Sequence, residues 1–356
     1  MKTPLSITSL EFVCGAGYSR ESCAASFRAG LRLKVQLPHF SYFDEEELVN
    51  YPIFGSTLSG YYDGSECCAF LVNEMTNIYS QTAKRLEQQG RQPDQIFAEA
   101  QIILVAPSVE QERFDELGND FDLLDRFIRR LNAKKSNKIT QDRCTLVEGG
   151  SEAFAHALHH AQELIENKKC ARVLIFVADT YCDFASLEWL ETVGVLDQKY
   201  LPGQAAGAVL IEADWIIRKE QTAPLLQIVS YAQGRESAHF FSEKKNVGEG
   251  LAKTVRELSS DNQFEYFFSD FTGEGWKAEE RGMLRVRNHD LFSPDCVEFT
   301  PYESFGQIGS VTAIGQLCCY CHFLEQQVIP PKPALFTQSS WHGDISAMLC
   351  RPAIQI

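Results

Sequence analysis

Between residues 144 and 212 the chain alternates short apolar runs with helix-period segments, and this alternation narrows the available folds to a layered α/β class. The run Cys144-Thr145-Leu146-Val147 breaks at Glu148-Gly149-Gly150, and Ser151 follows. Behind it Ala153, Ala157, Ala161 and Ile165 fall on one helical face, with Phe154 and Leu158 beside them. A second apolar run, Val173-Leu174-Ile175-Phe176-Val177-Ala178, ends at Asp179. A helical segment over 186–195 then leads through Leu201-Pro202-Gly203-Gln204 to a strand over 208–212. A strand that ends in small residues at a helix N-terminus is where α/β proteins often place nucleophiles and anion sites. That position makes Ser151, with Gly150 before it, the first candidate for chemistry.

The flanking sequence repeats the alternation. Residues 5–13 read as a strand closing at Cys14-Gly15-Ala16-Gly17, a tight turn into a helix over 22–28 that Gly30 stops. The turn is half of a dinucleotide fingerprint, and Arg20 stands where its third glycine belongs. Residues 33–64 show no clear period and read as a surface excursion. Helices are expected over 67–87 and 114–131, around a strand at 101–106. After Glu212 come strands at 225–231 and 264–268, helices at 247–258 and 277–285, a short strand within 291–299 and a glycine-punctuated helix over 308–327. Strands at 334–337 and 347–351 close the chain. No low-complexity linker separates the two rounds, so the expected architecture is pseudo-duplicated, with halves at 1–213 and 214–356.

A net charge of −15 over 356 residues argues against a nucleic-acid partner or an anionic membrane surface. No run reaches the roughly 18 apolar residues of a membrane span, and the reading is of a soluble, cytoplasmic protein. One basic island stands out: Arg126, Arg129, Arg130, Lys134, Lys135 and Lys138. It is either a solvated helix end or a docking patch for an acidic partner. Twelve cysteines include Cys67-Cys68 and Cys318-Cys319 with Cys321, but no spacing completes a zinc site. They read as buried free thiols, and neither metal nor cofactor is expected.

The stretch Ser151-Glu152-Ala153-Phe154-Ala155-His156-Ala157-Leu158 resembles the nucleophile helix of the β-ketoacyl synthases, in the thiolase superfamily. In that family a cysteine opens the helix and an Ala-His-Ala run follows. Gly203-Gln204-Ala205-Ala206-Gly207-Ala208 is similar to the family's Gly-Glu-Gly-Ala strand entry, with Gln204 for the acid and Ala205 for the second glycine. Gly306-Gln307 sits where a glycine and a catalytic histidine belong. Asp270-Phe271-Thr272-Gly273-Glu274 resembles the His-x-Thr-Gly-Thr loop, and residues 337–349 the closing loop, of whose glycines Gly343 remains.

The resemblance covers most of the chain and implies a thiolase-like fold of α-β-α-β-α layers. It also implies that all three usual catalytic groups are replaced: cysteine by Ser151 and the histidines by Asp270 and Gln307. Ketosynthases use the thiol as acyl acceptor and the imidazoles to stabilise negative charge. Glutamine can donate a hydrogen bond but cannot do a histidine's proton chemistry. Two readings of Ser151 stay open, a helix N-cap or a replacement nucleophile that needs a general base. Trp341 stands at the family's gatekeeping aromatic position, and His342 replaces a loop glycine, so both are expected near the pocket with Phe271.

Three functions follow from the resemblance. The first is a non-condensing homologue in the manner of a chain-length factor. It would bind an acyl group, an acyl carrier protein or acyl-CoA, and would form a heterodimer with an active ketosynthase or a homodimer. The second is an acyltransferase or thioesterase using Ser151. The third is a structural component with the old pocket filled.

Overall fold

The computed structural model describes residues 3–44, 47–58, 67–108, 122–133, 139–197, 199–258 and 263–353. In chain order the first half comprises β1 (Leu5–Cys14), α1 (Arg20–Arg28), β2 (Val35–Asp44), β3 (Val49–Gly55), α2 (Cys67–Gln88), α3 (Pro93–Glu99) and β4 (Gln101–Ala106). It continues through α4 (Leu123–Asn132), β5 (Cys144–Glu148), α5 (Ala153–Glu166), β6 (Arg172–Thr180), α6 (Phe184–Thr192) and β7 (Gln204–Glu212). Then come α7 (Asp214–Glu220), β8 (Leu226–Arg235), α8 (Glu249–Arg256), β9 (Phe264–Phe268), α9 (Gly275–Arg287) and β10 (Phe292–Phe299). The chain closes with α10 (Tyr302–Phe305), α11 (Thr312–Glu325), β11 (Ala334–Ser339) and β12 (Asp344–Pro352).

Two sets of strands carry the same plan. In the first, β1 is antiparallel to β7 and β7 to β6, while β6 runs parallel to β4 and β4 to β5. In the second, β8 is antiparallel to β12 and β12 to β11, while β11 runs parallel to β9 and β9 to β10. The sets meet where Leu5, Ser6 and Ile7 of β1 pair with β8, giving one continuous order from β5 to β10. The repeated order is the duplication that the alternating sequence suggests.

Helices α5 and α11 touch strands of both sets and form the middle layer. That position explains their composition. Ala153, Ala155, Ala157 and Ala161 of α5 are all buried, and α11 is buried without interruption from Ala313 to Phe323, as a helix between two sheets must be. Gly207 in β7 is required here: a Cβ would lie 2.6 Å from Ile314 Cγ2 of α11. Cys318, Cys319 and Cys321 belong to this layer as free buried thiols, and burial pushes each of their pKa values up. Helices α2, α3 and α4 cover the outer face of one set, and α8 and α9 that of the other.

One expectation is corrected. Part of the surface excursion is an antiparallel hairpin of β2 and β3, pairing Val35 with Gly55 and Asp44 with Val49. Only Leu37 of β2 is buried, so no core face imposes a two-residue period. Two short helices, α3 and α7, are additional to the elements expected from the sequence. The helix expected over 114–131 is described from Leu123, with Asp122 capping the N–H of Asp125, and 114–121 lie outside the described residues. No helix among the described residues is long and apolar enough to cross a membrane.

Candidate functional site

Strand β5 delivers the chain to Gly149-Gly150-Ser151 at the head of α5, and Ser151 is 7% exposed. The residue does not cap the helix. Glu152 holds the N-cap position in helical conformation, with no side-chain cap bond. The Ser151 hydroxyl instead donates to the Ser339 carbonyl oxygen at 3.1 Å. A capping serine must accept from a helix N–H, and here the hydroxyl proton is directed across to β11.

Ser339 gathers the rest of the site. Its carbonyl also accepts the Lys277 ammonium at 2.9 Å, and its N–H donates to Asp270 Oδ2 at 2.8 Å. Its hydroxyl donates to Glu280 Oε2 at 2.6 Å. Lys277 and Asp270 form an ion pair, with both side chains buried. Burial pushes the Glu280 carboxyl up to about 7. Glu152 is raised in the same way to about 7, although it accepts the Gly150 N–H at 3.0 Å.

Gln307 is fixed through its backbone: its N–H donates to Leu201 O at 2.8 Å, and its carbonyl accepts from Gly203 N–H at 2.9 Å. Trp341 is 5% exposed and stacks on Trp189 with ring centroids 4.8 Å apart. Phe240 packs against the same ring, and Phe241 against His342. Asp179, at the end of β6, accepts N–H groups from Thr180 and Ser310, and Gly309 leaves room for its carboxylate. Gln204 accepts from Leu58 N–H and donates to Thr180 Oγ1. Both are structural ties.

The fold brings Gly150, Ser151, Gln307, Trp341 and His342 around one cavity of about 40 Å³. That is room for a few waters, against the roughly 300 Å³ or more of a ligand pocket. Asp270 lies behind it and shares with Gln307 a void of about 20 Å³. Phe271 lines a different cavity. His156 and His159 are exposed on α5, and His160 reaches Thr145, so none turns toward Ser151. Arg126, Arg129 and Arg130 lie on the outward side of α4 and do not line the Ser151 cavity; Lys134, Lys135 and Lys138 lie outside the described residues. Among the described residues no group of His, Cys, Asp and Glu could hold a metal.

Chemically the arrangement leaves Ser151 without a general base among the described residues. The hydroxyl donates to a carbonyl oxygen, which cannot take up the proton. Lys277, Glu280 and Ser339 were not singled out in the sequence. Their signal was there: Lys277, Glu280 and Leu284 recur at core spacing on α9, and two charged residues on a buried stripe mark a buried polar cluster.

No family model matches the sequence, and no curated protein matches it. Solved structures do match its fold. The oxazolomycin ketosynthase domain of Streptomyces albus JA3453 superposes with a TM-score of 0.77 at 13% identity, over 99% of this chain and 76% of that one. The ishigamide ketosynthase/chain length factor gives 0.70 at 15% identity, over 99% and 100%. The AntDE:AntF structure, a type II polyketide synthase acyl-carrier protein in complex with its ketosynthase bound to the hexaketide, gives 0.74 at 12% identity, over 99% and 100%. With its five layers and doubled strand plan, the chain shares the thiolase-like fold of these structures.

Proposed function

We propose that this chain is a non-condensing ketosynthase homologue that binds an acyl carrier protein, an acyl group or a partner ketosynthase. The observation that carries the reading is the direction of the Ser151 proton, which goes to the Ser339 carbonyl with no base in hydrogen-bond contact among the described residues. The positions of the two family histidines hold Gln307 and an aspartate neutralised by Lys277, so neither supplies an imidazole. Among the similar structures, one is a ketosynthase/chain length factor and another a ketosynthase in complex with its acyl-carrier protein, which supports a carrier or ketosynthase partner. In this reading residues 1–213 and 214–356 are the two halves, and the cations of α4 are the carrier's docking patch. The dimer, with a second copy or with a ketosynthase, would use the edge of β5, which ends the sheet among the described residues.

The small cavity under Trp341 favours a second reading, a component of an assembly that takes no acyl chain into the old pocket. One experiment separates these from an active acyltransferase or thioesterase. Intact mass is measured after incubation with acyl-CoA and acyl-carrier thioesters, for wild type and Ser151→Ala. No adduct on either protein is expected. A mass gain lost in the variant would overturn the non-condensing reading in favour of acyl transfer through Ser151.

A further inference from the structure

On a chain of net charge −15, one cavity is lined by three cations, and it lies apart from the Ser151 site. Its volume is about 220 Å³, and it shares no lining residue with the Ser151 cavity. Arg32 and Lys34 come from the exposed segment before β2, and Lys199 from the segment that leads into β7. Arg32 pairs with Glu303 on the rim. Neither Lys34 nor Lys199 has a carboxylate partner among the described residues, and the Lys34 ammonium lies 5.8 Å from the Phe54 ring centroid. The cavity's net charge is therefore positive by two.

Its walls are aromatic. Phe54, Tyr200 and Phe271 face it, and Phe271 is held from behind by the Arg281 guanidinium, 4.4 Å from its ring centroid. Tyr302 accepts the Leu201 N–H at 2.8 Å, which fixes the segment carrying Lys199 against α10. Two unpaired ammonium groups and a guanidinium at one mouth suit a dianion. Rings in the same lining suit an apolar or flat body. The volume falls under the roughly 300 Å³ of a pocket that encloses a whole small-molecule ligand, so one end of a longer molecule enters.

We propose that this cavity binds the phosphate-ester end of a larger, partly apolar molecule. The assignment is independent of the non-condensing reading, because the cavity is built whether or not Ser151 reacts.

The test is a ligand-observed NMR titration of the full chain with phenyl phosphate, inorganic phosphate and phenol. Phenyl phosphate is expected to bind more tightly than either, and added salt to weaken it. Lys34→Ala/Lys199→Ala is expected to weaken phenyl phosphate by about tenfold or more. Lys244→Ala/Lys245→Ala removes the same charge from the exposed segment before α8 and is expected to change nothing. The proposal is overturned if phenol or inorganic phosphate binds as tightly as phenyl phosphate, if the lysine variant keeps its affinity, or if both variants lose it equally.

Discussion

Ser151 and Lys277 give their protons to one acceptor: the Ser339 carbonyl oxygen takes the Ser151 hydroxyl at 3.1 Å and the Lys277 ammonium at 2.9 Å. The other polar atoms of Ser339 hold Asp270 and Glu280. One residue at the end of β11 thus ties the head of α5, the loop after β9 and the buried face of α9. Ser151, Lys277, Asp270 and Glu280 are joined through that one residue.

Lys277→Met leaves the Asp270 carboxylate buried without its cation, and the expected loss is about 3–5 kcal/mol of stability. Asp270→Asn/Lys277→Met removes both charges and should recover most of that loss. Urea unfolding of the two single variants and the double one measures the coupling. Additive losses would mean that the pair does not act as a unit.

Ser151→Ala removes one hydrogen bond and should cost about 0.5–1.5 kcal/mol. Ser151→Cys should restore no condensation, since a thiol placed there still lacks both imidazoles. Incubation with acyl-carrier thioesters, followed by mass analysis of products, checks this. Any carbon–carbon bond formed by Ser151→Cys would show that Asp270 and Gln307 suffice, and the proposed function would fall.

The sequence pattern carried far into the fold but not into the network. Strands β4 and β9 lie where the runs at 101–106 and 264–268 place them, because both are largely buried and read as apolar stretches, β9 broken only at Glu265. The β2–β3 hairpin is illegible for the opposite reason: it stands half out of the protein, with only Leu37 of β2 buried and a short alternation confined to Tyr51–Gly55 of β3. At the site, Ser151, Trp341 and Gln307 were found through motif positions. Which atom each would bond to depended on Ser339, from a strand 188 residues beyond Ser151, and no local pattern encodes such a contact.

Trp341→Ala should unstack Trp189 and cost about 3–5 kcal/mol, as other large-to-small core changes do. It should also enlarge the cavity beside Ser151. Tryptophan fluorescence and urea unfolding read both effects. An unchanged emission spectrum together with unchanged stability would show that the Trp189–Trp341 stack does not hold the pocket closed.

Glu152 and Glu280 make the site sensitive to pH, and the sign follows from burial. Each carboxyl is raised from 4.5 to about 7 in the folded protein, because burial penalises its charged form. Between these values the native state binds more protons than the unfolded chain, so stability falls as pH rises. The contribution is fully present below the unfolded value of 4.5 and is lost as pH climbs through about 7. Each group supplies a slope of at most about 1.4 kcal/mol per pH unit, hence on the order of 3 kcal/mol in total. Lys277 and Ser339 moderate the shift of Glu280, and Asp270 adds to it. Glutamine keeps the shape and cannot ionise, so Glu152→Gln/Glu280→Gln should gain on the wild type as the buffer is taken from pH 5 to pH 8. Urea unfolding at the two pH values measures the gain. An equal stability difference at both would mean that the two carboxylates ionise in the fold as they do in water, and the buried network would have to be more open than its hydrogen bonds indicate.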